Sequence, residues 1–196
     1  ANLPVYDLAV TDTLVYAAGN FGTIGGQSRN KLAALDRTTG LATAWNPSAN
    51  LSVLDIELDG TTLYAGGNFT AIGGASRSYL AALDTTVDTD NATAWNPSLA
   101  GGSVTTLALD GSTLYAGGNF TSAGGTGRAR LSAFDLTTGS LTGWNPGANY
   151  AVSSLAVGPT TVFAGGDFEV IGGQTREYLA ALDKTTGLAT AWNPIV

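Results

Sequence analysis

One string of chemistry returns four times along this chain at a spacing near 49 residues, and no other property constrains its fold as strongly. The tryptophans of a Trp-Asn-Pro triplet stand at Trp45, Trp95, Trp144 and Trp192, at intervals of 50, 49 and 48. The aspartates that close Ala-Leu-Asp or Ala-Phe-Asp stand at Asp36, Asp84, Asp135 and Asp183, at intervals of 48, 51 and 48. Phe21, Phe69, Phe120 and Phe168 each follow Gly-Asn or Gly-Asp, and Arg29, Arg77, Arg128 and Arg176 each precede an apolar run. The pattern takes in the whole chain as a single domain, 1–196, with repeats 1–50, 51–100, 101–149 and 150–196. The unequal intervals are differences in loop length.

Within one repeat, four short segments alternate or run apolar between turn residues, and none carries the i, i+3, i+4, i+7 spacing of a surface helix. In the second repeat the expected strands are 53–58, 62–67, 79–83 and 92–95. Asp59-Gly60 reverses the first hairpin, and Pro97, with no amide hydrogen to donate, ends the ladder. Leu8, Ile56, Leu107 and Leu155 occupy one equivalent position, with Val10, Leu58, Leu109 and Val157 two residues later on the same face, which reads as core. The opposite face carries Asp7, Asp55, Thr106 and Ser154 and is partly polar.

A tandem four-stranded unit without helix is the sequence form of a propeller blade. A sandwich does not require the same side chain at every fourth strand, and solenoid coils are usually ~20 to 30 residues long. The expected fold is therefore all-β: a β-propeller of four-stranded antiparallel blades, four blades per chain. An open arc of four blades exposes an apolar face at each end, so a second copy completing a half-ring, or further repeats of a longer chain, are the expected partners.

The segment Ala34-Leu35-Asp36-Arg37-Thr38-Thr39-Gly40-Leu41-Ala42-Thr43-Ala44-Trp45 resembles the tryptophan-docking motif, Ala-x-Asp-x-x-x-Gly-x-x-x-Trp, of quinoprotein-like β-propellers. The step from glycine to tryptophan is one residue longer here, at Gly40, Gly139 and Gly187 alike. The whole repeat is also similar to bacterial tandem surface repeats written Gly-Gly-Asn-Phe-Thr, Ala-Leu-Asp, Trp-Asn-Pro. The likeness implies a fold and not a chemistry, because the docking motif is structural. The physical reading agrees: Asp36, Asp84, Asp135 and Asp183 accept backbone hydrogen bonds across a turn, the glycines take positive φ, and Trp45, Trp95, Trp144 and Trp192 offer flat surfaces to a neighbour.

Composition excludes several function classes. With no cysteine and no histidine there is no disulfide, no thiolate zinc site and no imidazole base, and the adjacent cysteines of several quinone enzymes are missing. Fifteen acidic against eight basic residues give a net charge of −7, which disfavours nucleic acid. Apolar runs fall far below the ~18 residues that span a bilayer, so no membrane insertion is expected. A chain that starts at Ala1, lacks methionine and is poor in lysine reads as secreted or cell-surface.

No nucleophile with a base, metal cluster or phosphate loop stands out, so the chain is expected to be no enzyme and to need no cofactor. Calcium is the one metal with a candidate loop, at Asp88 and Asp90. Arg29, Arg77, Arg128 and Arg176 form either an anion-binding ring or ties between repeats, with nearby acids as partners. Asp7, Asp55 and Glu57 can draw a cation towards the polar strand face. The expected function is a scaffold or binding module; the alternative is a carbohydrate-binding lectin that uses Tyr79, Tyr150 and Tyr178.

Overall fold

Threonine, valine, tyrosine and alternating leucine suit a pleated, half-buried surface, and the described chain, residues 1–194 of a computed structural model, is all strands, turns and loops. Each repeat builds one main antiparallel sheet beside a short two-stranded hairpin. Its first strand is Val5–Val10, Val53–Asp59, Val104–Asp110 or Val152–Val157. This pairs with Leu14–Gly19, Thr62–Gly67, Thr113–Gly118 or Thr161–Gly166, which pairs in turn with Leu32–Asp36, Leu80–Asp84, Leu131–Asp135 or Leu179–Asp183. The Asp-Gly hairpins form as expected, with Gly60 and Gly111 at φ 56° and 54°, a region where a side chain is costly.

All four first strands carry a bulge that plain alternation does not foresee. The register slips between Val5 and Asp7, Val53 and Asp55, Val104 and Thr106, and Val152 and Ser154. The extra residue turns the valine onto the same side as the leucine or isoleucine three positions later. Val53 and Ile56 are consequently both buried, so the buried face starts one strand position earlier than the period of two implies.

The expected fourth strand is largely missing. Among the described residues only the third repeat has one, Ser140–Leu141 against Phe134 and Asp135. Elsewhere it shrinks to single bridges, Leu35 with Ala42, Leu83 with Ala92 and Leu182 with Ala189. In all four repeats the next carbonyl along, that of Thr43, Thr93, Thr142 or Thr190, is taken by an arginine side chain where the ladder ends. The third strand also starts one residue later than expected in the second repeat, at Leu80, because Tyr79 has φ 69°.

The chain divides into two units, Ala1–Asn96 and Pro97–Val196. In the first, Tyr16, Leu32 and Trp45 of one repeat pack against Val53, Ile56, Leu63 and Phe69 of the next. In the second, Tyr115, Leu131 and Trp144 pack against Val152, Val162 and Phe168. Each fully buried aliphatic or aromatic side chain contributes about 1.5–3 kcal/mol, and neither repeat of a unit can bury its faces alone.

Candidate functional site

The loop between the second and third strands is the part of each repeat that can present chemistry. It folds into a two-residue hairpin, Thr23–Ile24 with Gln27–Ser28 in the first repeat, Ala71–Ile72 with Ala75–Ser76 in the second, and likewise in the other two. The Gly-Gly pair supplies the turn, with both residues at positive φ: 57° and 77° at Gly25 and Gly26, 60° and 76° at Gly73 and Gly74. These remain the turn glycines that the sequence suggested. Their second task is contact with the preceding repeat: Gly73 N donates to Pro47 O at 2.6 Å, and Gly172 N to Pro146 O at 2.9 Å. Asparagine side chains fasten the other arm, since Asn50 Oδ1 accepts from Thr70 N and Ala71 N at 3.0 and 3.1 Å, and Asn149 Oδ1 accepts from Glu169 N and Val170 N.

The arginine at the end of each hairpin is a clamp within its own repeat. Arg29 Nη2 donates to Thr43 O at 2.5 Å, Arg77 to Thr93 O at 2.6 Å, Arg128 to Thr142 O at 2.9 Å and Arg176 to Thr190 O at 2.8 Å. Each Nη1 donates to the carbonyl of the preceding residue. This corrects two expectations at once: the tie runs within a repeat rather than between repeats, and the acceptors are carbonyl oxygens rather than carboxylates. Every Nε is buried without a partner, so the remaining edge of the fork faces protein. Two of the five N–H groups of each guanidinium are thus taken by main-chain carbonyls.

Two residues beyond each arginine lies a position that sequence reading missed. Lys31, Tyr79, Arg130 and Tyr178 have φ of 67°, 69°, 65° and 65°, and none is glycine. A left-handed backbone in such residues costs of order 1 kcal/mol or more and persists only where hydrogen bonds hold it. They do: the four N–H groups donate to Phe21, Phe69, Phe120 and Phe168 carbonyls, and the four carbonyls accept from Gly19, Gly67, Gly118 and Gly166. The frame is constant and the side chain varies. Lys31 Nζ reaches Asn20 O at 3.1 Å and Arg130 Nη1 reaches Ala148 O at 3.1 Å, while Tyr178 is exposed. No composition or periodicity signal marks this position; only its variation between copies does.

The aspartates accept backbone hydrogen bonds across their turns, as the residues themselves suggest. Asp36 Oδ1 accepts from the Thr38 and Thr39 amides and the Thr39 hydroxyl at 3.0, 2.7 and 2.9 Å. Donation from the Thr39 amide holds the Asp36 carboxyl below the ordinary carboxylate range, with the Thr39 hydroxyl next in effect. The Thr86 hydroxyl, then its amide, does so for Asp84; the Thr138 and Thr137 amides for Asp135; the Thr186 amide, then its hydroxyl, for Asp183.

The indoles tie neighbouring repeats within each unit. Trp45 Nε1 donates to Asp84 O at 3.1 Å and Trp144 Nε1 to Asp183 O at 3.0 Å. Each tryptophan is fixed edge-on by an aromatic of its own repeat, Trp95 by Tyr64 and Trp192 by Phe163 at 5.6 and 5.5 Å.

The remaining candidates separate. Asp7 Oδ2 accepts from Ile56 N at 2.8 Å, so this carboxylate joins two repeats rather than facing an open cation site. Asp55 and Glu57 lie half-buried on the same strand, opposite Gly66 and Tyr64. Asp88 accepts Asn46 N through its main-chain carbonyl at 2.7 Å, and Asp90 has φ 51°. Among the described residues no group of three or more acidic, histidine or cysteine side chains could hold a metal. Lys184 pairs with Asp110.

No family model matches this chain, and no curated protein matches its sequence. Solved structures do match in fold. The computationally designed Ika4 protein shares 14% identity at a TM-score of 0.63, over 93% of this chain and 92% of that one. The designed Ika8 protein shares 15% at 0.60, over 94% of this chain and 47% of that one. The WD40 β-propeller domain of Doa1 shares 14% at 0.55, over 96% of this chain and 57% of that one. This chain thus spans about half the length of two of these three. The repeats fold as a β-propeller-like all-β protein, as their sequence suggests.

Proposed function

We propose that this chain is a non-enzymatic scaffold and binding module, secreted or displayed at a cell surface, that meets its ligand through the hairpin loops. The carrying observation is the left-handed position. Lys31, Tyr79, Arg130 and Tyr178 share one φ and one pair of backbone hydrogen bonds yet carry three kinds of side chain, with Lys31 and Arg130 bonded to main-chain carbonyls and Tyr178 exposed, whereas the arginines and aspartates around them are the same in every repeat. Loops on a rigid frame are where binding residues concentrate. Each unit carries two such positions, so recognition can be assembled loop by loop. Four-bladed organisation of quinoprotein-like repeats belongs to the same reading and is supported by the docking-type turns.

Carbohydrate binding is the second form of this reading, favoured by the exposed rings of Tyr150 and Tyr178. Flat aromatic faces with a polar tip suit sugar rings. The test screens the intact chain against glycan and peptide arrays, beside a Lys31→Ser, Tyr79→Ser, Arg130→Ser, Tyr178→Ser variant with unchanged Tm. Binding that the variant loses supports the loop reading, and sugar-selective binding lost with Tyr150→Ser supports the lectin form. Equal binding by variant and parent overturns it.

A further inference from the structure

Two sheet faces lack the neighbour that their counterparts have. In the first repeat Leu8 and Val10 are both 56% exposed and Val5 is 39% exposed; the equivalent Ile56 and Val53 are 4% and 0% exposed, covered by the Tyr16, Leu32 and Trp45 side of the preceding repeat. In the fourth repeat Trp192 is 44% and Leu179 is 36% exposed, whereas Trp45 and Leu32 are 3% and 0% exposed. One end shows the surface that an indole face normally covers, and the other shows an uncovered indole face.

The polar groups at these two faces also match. Asp183 O accepts both Gly187 N at 2.9 Å and the Trp144 indole at 3.0 Å. Asp36 O already accepts Gly40 N at 2.8 Å, leaving its second lone pair for an indole in the same way. Among the described residues nothing accepts from the Trp192 indole N–H. Where the third repeat meets the fourth, Thr105 Oγ1 donates to Val152 O at 2.6 Å. Ser153 holds the place of Thr105 in the fourth repeat and is exposed, while Val5 holds the place of Val152. The hydroxyl that makes this bond is therefore present at the uncovered end; the first and second repeats have Tyr6 and Leu54 there.

We propose that a second copy of this chain docks head to tail and continues the seam found inside each unit. Phe163, Leu179 and Trp192 of one copy cover Val5, Leu8 and Val10 of the other. The Trp192 indole donates to the Asp36 carbonyl, and the Ser153 hydroxyl donates to the Val5 carbonyl. This interaction is separate from ligand binding by the hairpin loops and stands or falls without it.

The two faces differ, so the contact is heterologous and its halves can be disabled separately. Sedimentation of the full chain is run over a dilution series at 0.15 M salt, where screening over about 8 Å moderates repulsion between copies of charge −7. The expected species is a dimer of about 40 kDa, twice 19.8 kDa. Leu8→Glu alone and Trp192→Ala alone weaken association on the order of 30-fold or more, and each sediments as a single chain. Mixed in equal amounts they recover a two-chain species, because the mixture supplies one intact face of each kind.

Both side chains stand exposed in a single copy, so the variants keep their far-ultraviolet circular dichroism; Val10→Lys replaces Leu8→Glu if that signal is lost. Longer head-to-tail assemblies dissolved by the same substitutions also support the seam. A monomeric parent chain overturns the proposal, whether it is bare or closed on itself. Assembly indifferent to both substitutions, or variants that fail to complement each other, does so as well.

Discussion

Gly118→Ala and Gly143→Ala are the same chemical change in one repeat and should differ in sign. At Gly118 an added Cβ would overlap the Ser103 carbonyl oxygen and stand 3.0 Å from both Ser103 C and Val104 Cα, where ordinary contact starts at 3.4 Å. All three atoms are backbone, so no flexible side chain can yield. That carbonyl also accepts Asn119 N at 2.9 Å, and Gly118 N donates to Arg130 O at 2.9 Å. The strand must retreat by roughly an ångström, at about 1–3 kcal/mol for overpacking, and the two weakened backbone bonds cost about 1 kcal/mol each. A total near 4 kcal/mol lowers Tm by about 8–16 °C at ~2–4 °C per kcal/mol for a chain of this size. Gly143 has open space within 4 Å and no positive φ, and the other repeats carry Ala44, Ala94 and Ala191 there. Gly143→Ala is thus neutral or stabilising by about 0.4–1 kcal/mol, through the unfolded chain. Thermal unfolding followed by tryptophan fluorescence reads both. Equal Tm losses, or a harmless Gly118→Ala, would refute the claim that repeated glycines are set by close backbone approach.

Trp144→Phe keeps ring packing but loses the bond to Asp183 O, for about 1 kcal/mol; Trp144→Ala costs about 3–5 kcal/mol and Trp192→Ala in the monomer well under half of that. Urea unfolding checks the order, and a Trp192 cost equal to that of Trp144 would contradict it. The turn carboxyls are held below their ordinary value near 3.9, so the stability they supply is complete above that pH and disappears as pH falls through the lower folded value. Asp36→Asn combined with Asp135→Asn should flatten the acid side of the stability curve, measured by circular dichroism at fixed denaturant, while leaving its dependence near neutrality unchanged. Arg77→Ala frees two carbonyls and costs about 1–3 kcal/mol, and millimolar inorganic phosphate leaves the Tm of the parent chain unmoved. A phosphate-dependent rise in Tm would return these arginines to the role of an anion site.

The repeat, the strand-rich character and the turn chemistry were legible in the residues because each is local. Asp36 must cap its own turn whatever lies beyond it, and Gly25-Gly26 must reverse its own hairpin. Charge, the missing cysteine and histidine, and the catalytic classes they remove were equally plain. The arginines were half legible: their repetition announced a structural task, but their acceptors lie 14 to 16 residues away, beyond anything spacing can indicate. Tyr79 and its counterparts were not legible, because a tyrosine held in left-handed backbone looks in sequence like the start of a strand.

Tertiary structure alone decided which copy of a repeated residue does what. The sequence requires Leu8 and Ile56 to be aliphatic at the same place in the same strand, and both are. Whether that place is dry depends on the indole face of a preceding repeat, which Ile56 has in Trp45, 11 residues earlier, and Leu8 lacks; the first is 4% exposed and the second 56%. Periodicity records what a residue needs around it. Burial, being a property of two surfaces, is settled only when the second surface arrives.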